Sequence, residues 1–464
     1  MTTKNLKYFF EPKSVAIIGA SRNTKKIGHV ILRNFVQGFN GRIYPVNPNT
    51  DTILDLKCYK SLLDVPGTID LVIISIHAEL VPGVMKECAK KEVKAVVIVS
   101  GGFAEVGRKD LEDQITRIAE SAGIRVIGPN CIGVFDAYTN VDSLFLPSYR
   151  LGRPPKGRIS LISQSGALGG AMLDWANMHG YGFSKFVSYG NACDVDETDL
   201  IDFLGDDKKT ALICAYLEGV ERDGPTFIKI ASKVSSKKPI IAIKGGTTKA
   251  GGEAVSSHTA SLAGSPKIYE AVFRQCGIIQ AYDLEEALDF SRTLIEVPLP
   301  KGRRVLTITN GGGLGILSTD AIEKEGLELA ELSKETVKSL KSMMPEYVVI
   351  RNPIDLTGDA DTARYAAAID AALKDPNVDI ILINILFQVP TLTSDIVEII
   401  SEKFIRQEKP IIVVCLGGSY TQTHKKALEK YGIPTFDYPE RAAKALRCLV
   451  ERSEDVNYVA PHHQ

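Results

Sequence analysis

A single histidine within a long run of small residues is the feature of this sequence best suited to chemistry. His258 lies in the segment 245–261, which is rich in glycine, alanine, serine and threonine and has little that could form a core. A neutral imidazole attacks phosphorus when an acceptor holds its second ring nitrogen. Glu218, at the end of a neighbouring predicted strand, is our candidate for that acceptor. The alternative is a surface histidine in a disordered loop.

A second candidate site follows the predicted strand at 158–162. Gln164, Ser165 and Gly166 form a turn that opens a helical pattern over 166–178. The first turn of a helix presents unpaired N–H groups and the positive end of the helix dipole. We therefore expect these three residues to bind a phosphate.

The turn after the first predicted strand has basic character. Gly19 begins it, and Ser21, Arg22, Lys25 and Lys26 follow before a helical pattern starts. Such a glycine turn at a helix N-terminus offers N–H groups to phosphate. The pattern is not the G-x-G-x-x-G fingerprint of dinucleotide-binding proteins. The alternative interpretation is a tight turn with solvated lysines.

The residues after the second predicted strand oppose NAD as the ligand. An NAD site uses an acidic residue there to bind the ribose hydroxyls, whereas this sequence has Asn47, Pro48 and Asn49. The carboxylate is absent and basic residues are added nearby. A ligand with an extra phosphate fits better, and coenzyme A is our candidate.

Small or polar residues follow three further predicted strands. They are Ser75, Ile76 and His77 after one strand, Ser100 and Gly101 after the next, and Asn130 after the third. Small residues let an extended ligand approach closely, and Asn130 could hydrogen-bond a carbonyl. His77 taken alone is more typical of a packed or hydrogen-bonded side chain than of a catalyst. Cys131 has no evident base partner, so we do not assign it as a nucleophile.

The elements that would position these residues form an alternating pattern. Short β-branched runs recur along the chain with helical stretches between them, which is typical of open, doubly wound α/β domains. Ligands bind such sheets beyond the carboxyl ends of the strands. The candidate strands are 15–18, 42–45, 71–74, 95–99, 125–127, 158–162, 212–217, 240–244, 304–309, 380–386 and 411–416.

Two proline-rich stretches, 146–156 and 296–303, suggest domain boundaries. They predict three domains, at 1–145, 155–295 and 302–464. The second and third contain similar motifs in the same order, which indicates an internal repeat. Ile159–Gly169 aligns with Leu306–Gly315. Lys238–Ile241 followed by Gly245 and Gly246 aligns with Lys409–Ile412 followed by Gly417 and Gly418. The third domain lacks the histidine segment, so we expect it to be a scaffold and docking domain.

Composition excludes several classes of protein. The 464 residues carry 55 basic and 56 acidic side chains, a balance that opposes nucleic-acid binding and a polybasic membrane role. No apolar run approaches the ~20 residues of a membrane helix. Eight cysteines without a Cys-x-x-Cys pair oppose a zinc site and suit the cytoplasm. No P-loop or metal-binding carboxylate cluster is recognisable, so we expect another chain to hold any ATP and Mg²⁺.

These motifs together resemble a known family. The chain is similar over essentially its full length to the α subunits of ADP-forming acetyl-CoA synthetases, also called acetate–CoA ligases (ADP-forming), within the succinyl-CoA synthetase superfamily. The residues that carry the resemblance are Val15–Ser21 with Val46–Asn49, Gly128–Gly133, Ser163–Gly166 and Ser257–Gly264.

The resemblance implies a fold and an activity. It implies an N-terminal Rossmann-like CoA-binding domain followed by two flavodoxin-like doubly wound parallel-sheet domains. It also implies that acyl-CoA, ADP and phosphate become acid, ATP and CoA through an acyl phosphate, with His258 transiently phosphorylated and Glu218 stabilising it. ADP or ATP with Mg²⁺ would bind to a separate ATP-grasp β subunit in an α2β2 complex.

Three alternatives remain at this point. A subunit of a succinyl-CoA-type ligase is opposed by the Ser-His-Thr-Ala form of the histidine motif, where succinyl-CoA synthetases have Gly-His-Ala-Gly. A non-catalytic CoA-binding regulator would not need the histidine segment. An NAD-dependent redox sensor is opposed by the missing acidic residue after the second strand.

Overall fold

A computed structural model describes residues 3–220, 223–253 and 265–459 of the chain. They fold into two compact units, Met1–Leu284 and Glu285–Gln464. His258 and its neighbours from 254 to 264 lie outside the described residues. The first unit holds two large sheets and the second unit holds a third.

The first sheet consists of five parallel strands in the order β2-β1-β5-β6-β7. Its central strands are apolar and buried on both faces, as expected when helices cover both sides of a parallel sheet. Counted along the chain the order is 2-1-3-4-5, so the topological switch point lies between β1 and β5. A two-stranded ribbon of β3 and β4 follows β2. The strands are β1 (Ser14–Ile18), β2 (Arg42–Val46), β3 (Thr52–Ile53), β4 (Leu56–Lys57), β5 (Leu71–Ile74), β6 (Ala95–Ile98) and β7 (Arg125–Ile127).

Helices connect these strands. The helix Lys109–Ala122 shows the usual sequence features of helix ends. Asp110 and Glu112 lie in its first turn, and Gly123 adopts the left-handed conformation at its C-cap. The α-helices are α1 (Ile27–Gly38), α2 (Val81–Lys90) and α3 (Lys109–Ala122), and short 3-10 helices span Leu6–Phe9, Leu62–Asp64, Ala78–Leu80 and Ala104–Val106.

The second sheet has seven strands in the order β14-β13-β12-β10-β11-β8-β9. The five strands from β10 to β14 are parallel and again run 2-1-3-4-5, with the switch point between β10 and β12. The strands are β8 (Gly133–Asp136), β9 (Val141–Asp142), β10 (Lys156–Ser163), β11 (Phe183–Ser188), β12 (Leu212–Leu217), β13 (Ile240–Lys244) and β14 (Ile279–Ala281). The helices are α4 (Gly166–Met178), α5 (Glu197–Asp206), α6 (Gly224–Ser235) and α7 (Pro266–Cys276).

Strands β8 and β9 differ from the sequence-based expectation, which placed residues up to 145 in the first domain. They pair antiparallel in the second sheet, with β8 against β11. The edge strand β11 has open N–H and C=O groups, and β8 satisfies them. The chain therefore enters the second sheet before the proline-rich stretch at 146–156.

The second unit contains one parallel sheet in the order β16-β15-β18-β19-β20, with the short β17 also paired to β15. The strands are β15 (Arg304–Thr309), β16 (Glu328–Leu329), β17 (Ile354–Asp355), β18 (Ile380–Asn384), β19 (Ile411–Val414) and β20 (Thr435–Phe436). The helices are α8 (Leu284–Glu296), α9 (Gly312–Lys324), α10 (Lys334–Met343), α11 (Thr362–Lys374), α12 (Ile396–Ile405), α13 (Ser419–Lys430) and α14 (Pro439–Val459). The α/β fold class with doubly wound parallel sheets is confirmed.

The internal repeat is also confirmed, because the registers of the second and third sheets match pair by pair. In each copy a glycine in the first helix packs against the last residue of the first strand, Gly169 against Ser163 and Gly315 against Thr309. The equivalent residues are Ser163, Tyr216 and Ile243 in the second sheet and Thr309, Asn384 and Val414 in the third.

The segment after β13 starts differently from the expected loop. Residues 249–253 are helical, and the Thr248 hydroxyl accepts a hydrogen bond from the Gly251 N–H at 3.0 Å as an N-terminal cap. Elsewhere, none of the helices in the described ranges has the length and hydropathy needed to cross a membrane.

Candidate functional site

The carboxyl edge of the first sheet brings four predicted loops into contact. Ser75 Oγ donates to the Ile18 carbonyl at 3.1 Å, which joins the turns after β5 and β1 at the switch point. Ser100 Oγ donates to the Ile76 carbonyl at 2.6 Å, and the Asn130 N–H donates to the Ser100 carbonyl at 2.9 Å. The predicted ligand-binding turns therefore form one continuous edge.

Two glycines permit a close approach at the start of this edge. A Cβ at Gly28, in the first turn of α1, would lie 2.0 Å from the Gly19 carbonyl oxygen. Gly19 itself has φ +88°, and its Cβ would lie 2.5 Å from the Ser75 carbonyl oxygen. Only glycine fits at both positions. The N–H groups at the start of α1 are thus brought directly against the end of β1.

The basic side chains of this turn have different surroundings. Arg22 Nε donates to the Thr52 carbonyl at 2.9 Å, so its guanidinium lies against the β3–β4 ribbon. Lys25 and Lys26 are exposed beside the first turn of α1. Ser21 Oγ accepts from the Asn23 N–H at 3.1 Å and shapes the turn.

The asparagine after β2 fixes the same turn from the other side. Asn47 Nδ2 donates to the Ala20 carbonyl at 2.7 Å, and Asn47 Oδ1 accepts from the Asn49 N–H at 2.8 Å. Pro48 and Asn49 are exposed at the rim. His77 is also exposed and is the N-cap residue of the short helix 78–80.

Asn191 was missed by sequence analysis and joins three loops. Its Nδ2 donates to Glu105 Oε2 at 2.7 Å and to Glu112 Oε2 at 2.9 Å, and its Oδ1 accepts from Asn130 Nδ2 at 3.2 Å. Glu105 in turn accepts the N–H of Gly102, beside the predicted contact residue Gly101, at 2.5 Å. Burial raises the pKa of Glu112. Asn191 follows β11, so this network connects the second sheet with the loops of the first.

The segment 130–132 also contacts the second predicted site. Ile132 lies against the start of α4, where a Cβ at Gly166 would be 2.8 Å from Ile132 Cγ2. The Ile132 N–H donates to Ser188 Oγ at 3.2 Å. Cys131 is buried, which raises the pKa of its thiol to about 12 and agrees with our decision not to assign it as a nucleophile. Through Ile132, the carboxyl edge of the first sheet therefore continues into the carboxyl edge of the second sheet.

Gln164 and Glu218 meet at the switch point of the second sheet. Gln164 follows β10 and Glu218 follows β12, the two strands that flank this point. Gln164 Oε1 accepts from the N–H of Glu218 at 2.8 Å and of Gly219 at 3.2 Å. The Glu218 side chain is only 5% exposed, so it is not the solvated strand-end carboxylate that spacing alone would favour.

Ser165 and Gly166 form the helix start that sequence analysis predicted. Ser165 is the N-cap of α4, and its Oγ accepts from the Leu168 N–H at 3.4 Å. Ser163 Oγ donates to the Ser165 carbonyl at 2.6 Å and holds the turn. The first turn of this helix follows Gln164 directly and so lies beside the Gln164–Glu218 pair, and a helix N-terminus is a favourable position for an anion.

Two further residues that sequence analysis missed surround Glu218. Burial and the adjacent Glu218 carboxylate raise the pKa of Tyr216 to about 12, and the two side chains share a hydrogen bond. Lys244 Nζ donates to the Glu218 carbonyl at 2.8 Å. A lysine at the end of an apolar strand, directly before two glycines, was the available signal for this contact.

These residues fit a ligand rich in phosphate. The carboxyl edge of the first sheet, called the first edge below, offers the close approach at Gly19 and Gly28, the N-terminus of α1 and exposed lysines. The carboxyl edge of the second sheet, called the second edge, offers the N-terminus of α4. No group of histidine, cysteine, aspartate or glutamate suited to a metal ion occurs in the part of the chain that the structure describes. His258, predicted to accept a phosphoryl group, lies outside the described residues.

Three family models match consecutive parts of the chain. A CoA binding domain matches residues 13–137, a succinyl-CoA ligase-like flavodoxin domain matches 156–294, and a ligase-CoA domain matches 305–450. The first model covers the glycine turn and the second covers the Gln164–Glu218 pair.

Relatives match over nearly the whole chain. The acetate–CoA ligase [ADP-forming] II subunit alpha of Pyrococcus furiosus is 39% identical over 97% of this chain and 98% of its own length. The acetate–CoA ligase [ADP-forming] of Methanocaldococcus jannaschii is 42% identical over 97% of this chain, which spans 63% of that longer protein.

A solved structure has the same fold throughout. It is the dinucleotide-forming acetyl-coenzyme A synthetase 1 of Ca. Korarchaeum cryptofilum in complex with phosphate and ADP. It matches with a TM-score of 0.92 and 38% identity, covering 99% of each chain. By sequence over its full length and by fold, this chain belongs to the family of ADP-forming acetate–CoA ligase α subunits.

Proposed function

We propose that this chain is the α subunit of an ADP-forming acetyl-CoA synthetase, which converts acetyl-CoA, ADP and phosphate into acetate, ATP and CoA. The observation that carries this proposal is the continuity of two ligand edges through residues 130–132. A thioester bound along the first sheet would end where the first turn of α4 can bind phosphate. This arrangement suits a reaction between those two substrates.

The first edge would bind the CoA moiety. Its phosphates carry negative charge that the N-terminus of α1 and the side chains of Lys25 and Lys26 can stabilise. The pantetheine arm would pass the small residues Ser75, Ser100 and Gly101 towards Asn130. Arg22 would contribute mainly by holding the ribbon beside the turn. We assign the remaining contacts to Gly19, Ser21, Asn47, Pro48, Asn49, Ile76 and His77.

The second edge would assist attack by phosphate on the thioester. A phosphate oxygen bonds to the acetyl carbon, the carbon–sulfur bond breaks, and the sulfur leaves with its electron pair as CoA. Acetyl phosphate remains. The N–H groups near Ser165 and Gly166 would stabilise negative charge on the phosphoryl oxygens, and Gln164 would hold the turn that borders them.

His258 would then accept the phosphoryl group. A ring nitrogen bonds to phosphorus while the phosphorus–oxygen bond to acetate breaks, and the phosphohistidine later transfers the group to ADP. Glu218 would hold the second ring nitrogen and stabilise the positive charge on the imidazole. The burial of Glu218 at the switch point supports this role, because a buried carboxylate attracts a cationic ring strongly.

The nucleotide site belongs to a partner in this proposal. An ATP-grasp β subunit would bind ADP with Mg²⁺, and we propose an α2β2 assembly. We also propose that the chain has three functional parts, at 1–145, 155–295 and 302–464, with β8 and β9 of the first part completing the sheet of the second. A cytoplasmic location fits a sequence whose eight cysteines are scattered and form no Cys-x-x-Cys pair.

The decisive assay is coexpression with a candidate ATP-grasp subunit, followed by measurement of ATP formation from acetyl-CoA and other acyl-CoAs. We expect ATP to form only when phosphate, ADP and acetyl-CoA are all present. CoA binding without any turnover would contradict the proposal and favour a non-catalytic CoA-binding protein. A strong preference for succinyl-CoA would instead indicate a succinyl-CoA-type ligase.

A further inference from the structure

Lys244 is a buried lysine at the end of β13 that the proposed reaction does not yet use. Its side chain is 6% exposed. Its Nζ donates to the Glu218 carbonyl at 2.8 Å and to the Gly245 carbonyl, and lies 4.6 Å from the centroid of the Tyr269 ring. A buried ammonium needs such partners to offset its lost hydration.

Tyr269 connects the turn after β12 with α7. It lies in α7, and its hydroxyl accepts a hydrogen bond from the Val220 N–H at 2.9 Å. Lys244 and Tyr269 thereby link the turn after β12, the residue after β13 and the first turns of α7. In sequence, His258 lies between Gly245 and α7. Lys244 before His258 and Tyr269 after it are therefore both tied to the turn that carries Glu218.

Comparison of the two copies of the internal repeat shows which residues the fold requires at this switch point. Pairing registers make Leu386 the equivalent of Glu218 and Cys415 the equivalent of Lys244. Both copies have an amide side chain that supports this turn. Asn310 Oδ1 accepts the Leu386 N–H at 2.9 Å, and Gln164 Oε1 accepts the Glu218 N–H at 2.8 Å. The copy without a histidine segment thus forms the same switch point with a buried, uncharged Cys415.

A second lysine, unlike Lys244, occurs in both copies of the repeat. Lys238, before β13, donates to the carbonyls of Leu204 at 2.9 Å and Asp207 at 2.7 Å. Its repeat equivalent Lys409 makes the same two contacts, to the carbonyls of Ala372 and Asp375. A lysine that serves the fold is therefore present in both copies, whereas Lys244 is present only in the copy that has Glu218 and His258.

We propose that Lys244 is a positioning residue for phosphoryl transfer at His258, which holds the Glu218 turn and the start of the histidine-bearing segment in one arrangement. This inference rests on the proposed function. The fixed ammonium also offsets the repulsion between the Glu218 carboxylate and an incoming phosphoryl group. Lys244 forms no covalent bond and transfers no proton in this role.

The test compares Lys244→Met with Lys238→Met, because each removes a lysine whose ammonium donates to two backbone carbonyls. The full chain with its partner receives acetyl-CoA and radiolabelled phosphate, and label on the protein is followed in a single turnover. We expect Lys244→Met to slow labelling about tenfold or more, while CoA affinity stays unchanged. Lys238→Met is expected to lower the melting temperature with labelling within about twofold of wild type.

A readout without catalysis complements this test. Lys249 is exposed in the start of the histidine-bearing segment, so tryptic cleavage there reports how firmly that end is held. We expect severalfold faster cleavage at Lys249 in Lys244→Met and no change in Lys238→Met. Lys244→Gln, which keeps N–H donors without the charge, is the second variant if Lys244→Met does not fold, with the same slow labelling expected.

The outcomes separate this inference from the proposed function. Label on His258 in the wild type, with an equal labelling rate in Lys244→Met, would overturn the role of Lys244 alone. Equal slowing in Lys244→Met and Lys238→Met at equal loss of stability would overturn it as well. A wild-type complex that takes no label on His258 would overturn the proposed function and, with it, this inference.

Discussion

Gln164 Oε1 accepts the backbone N–H of Glu218 at 2.8 Å across the switch point of the second sheet. The same oxygen accepts the Gly219 N–H at 3.2 Å. One amide side chain after β10 thus fixes the backbone that carries the carboxylate after β12. The proposed acceptor for His258 is positioned by the residue that also begins the turn proposed to bind phosphate.

Replacing Gln164 tests this support. Gln164→Met keeps the side-chain length but leaves two buried N–H donors unsatisfied, which costs about 1–3 kcal/mol for each donor. We expect a clear loss in the free energy of unfolding measured by urea denaturation. Gln37→Met makes the same change at an exposed position and should stay within about 0.5 kcal/mol of wild type. Equal effects of the two variants would show that the Gln164 bonds contribute nothing.

Glu218→Gln removes the negative charge and keeps the backbone N–H that Gln164 binds. The neutral amide stabilises a cationic imidazole poorly, so we expect turnover to fall at least about a hundredfold with little change in stability. The measurement is ATP formation by the complex at saturating acetyl-CoA. Glu270→Gln, which neutralises an exposed carboxylate within α7, is the control and should retain activity. Wild-type turnover in Glu218→Gln would refute the assigned role.

Gly28→Ala tests the CoA edge. The new Cβ would meet the Gly19 carbonyl oxygen at 2.0 Å, so α1 must move away from the end of β1. We expect CoA affinity to fall about tenfold and stability to fall by about 1–3 kcal/mol. Titration calorimetry with CoA measures the affinity. Gly83→Ala in α2, where a Cβ meets nothing within 4 Å, should bind CoA normally and gain slight helix stability. Normal CoA binding by Gly28→Ala would contradict the placement of this site.

The Glu105–Glu112–Asn191 network predicts a pH dependence of stability. Burial raises the pKa of Glu112, and the charge of Glu105 adds to this effect. A carboxyl group whose pKa is raised by folding stabilises the protein below its ordinary pKa and loses that contribution as the pH rises through the raised value. Glu112→Gln should therefore raise the melting temperature at pH 8 by about 2 °C and change it little at pH 4. A larger rise in melting temperature at pH 4 than at pH 8 would contradict a raised pKa for Glu112.

The buried parallel strands could be predicted because they are short, mainly apolar runs without an alternating polar face. Leu71–Ile74, Leu212–Leu217, Ile240–Lys244 and Arg304–Thr309 have the same bounds in the sequence-based prediction and in the structure. A strand covered on both faces by helices needs no polar face, so its signal is local and strong. The turns that follow these strands, and hence most candidate ligand residues, were located for the same reason.

Strand β11 could not be predicted because its sequence contains buried polar residues. Lys185 is 3% exposed and pairs with Asp136 at 3.2 Å and Asp207 at 2.8 Å. These partners come from β8 and from the end of α5, so only the tertiary fold makes Lys185 acceptable inside a sheet. Because β11 was missed, its following residue Asn191 and the pairing of β8 into the second sheet were missed as well.

The polar surroundings of Glu218 depend on the same kind of long-range information. Sequence placed Glu218 at the end of a strand, where most carboxylates are solvated. In the structure it is buried and contacts Tyr216 from the same strand and Lys244 from the neighbouring strand β13. The choice of neighbouring strands is a property of sheet order and is not encoded in local patterns.

Mapping the phosphoryl group most directly tests whether His258 carries phosphate between the thioester and the nucleotide. The purified complex is incubated with acetyl-CoA and radiolabelled phosphate without ADP, and the labelled peptide is identified under alkaline conditions. We predict acid-labile label on His258 that is released on addition of ADP, and no label or ATP formation in His258→Ala. Label on a different residue, or ATP formation by His258→Ala, would contradict the account.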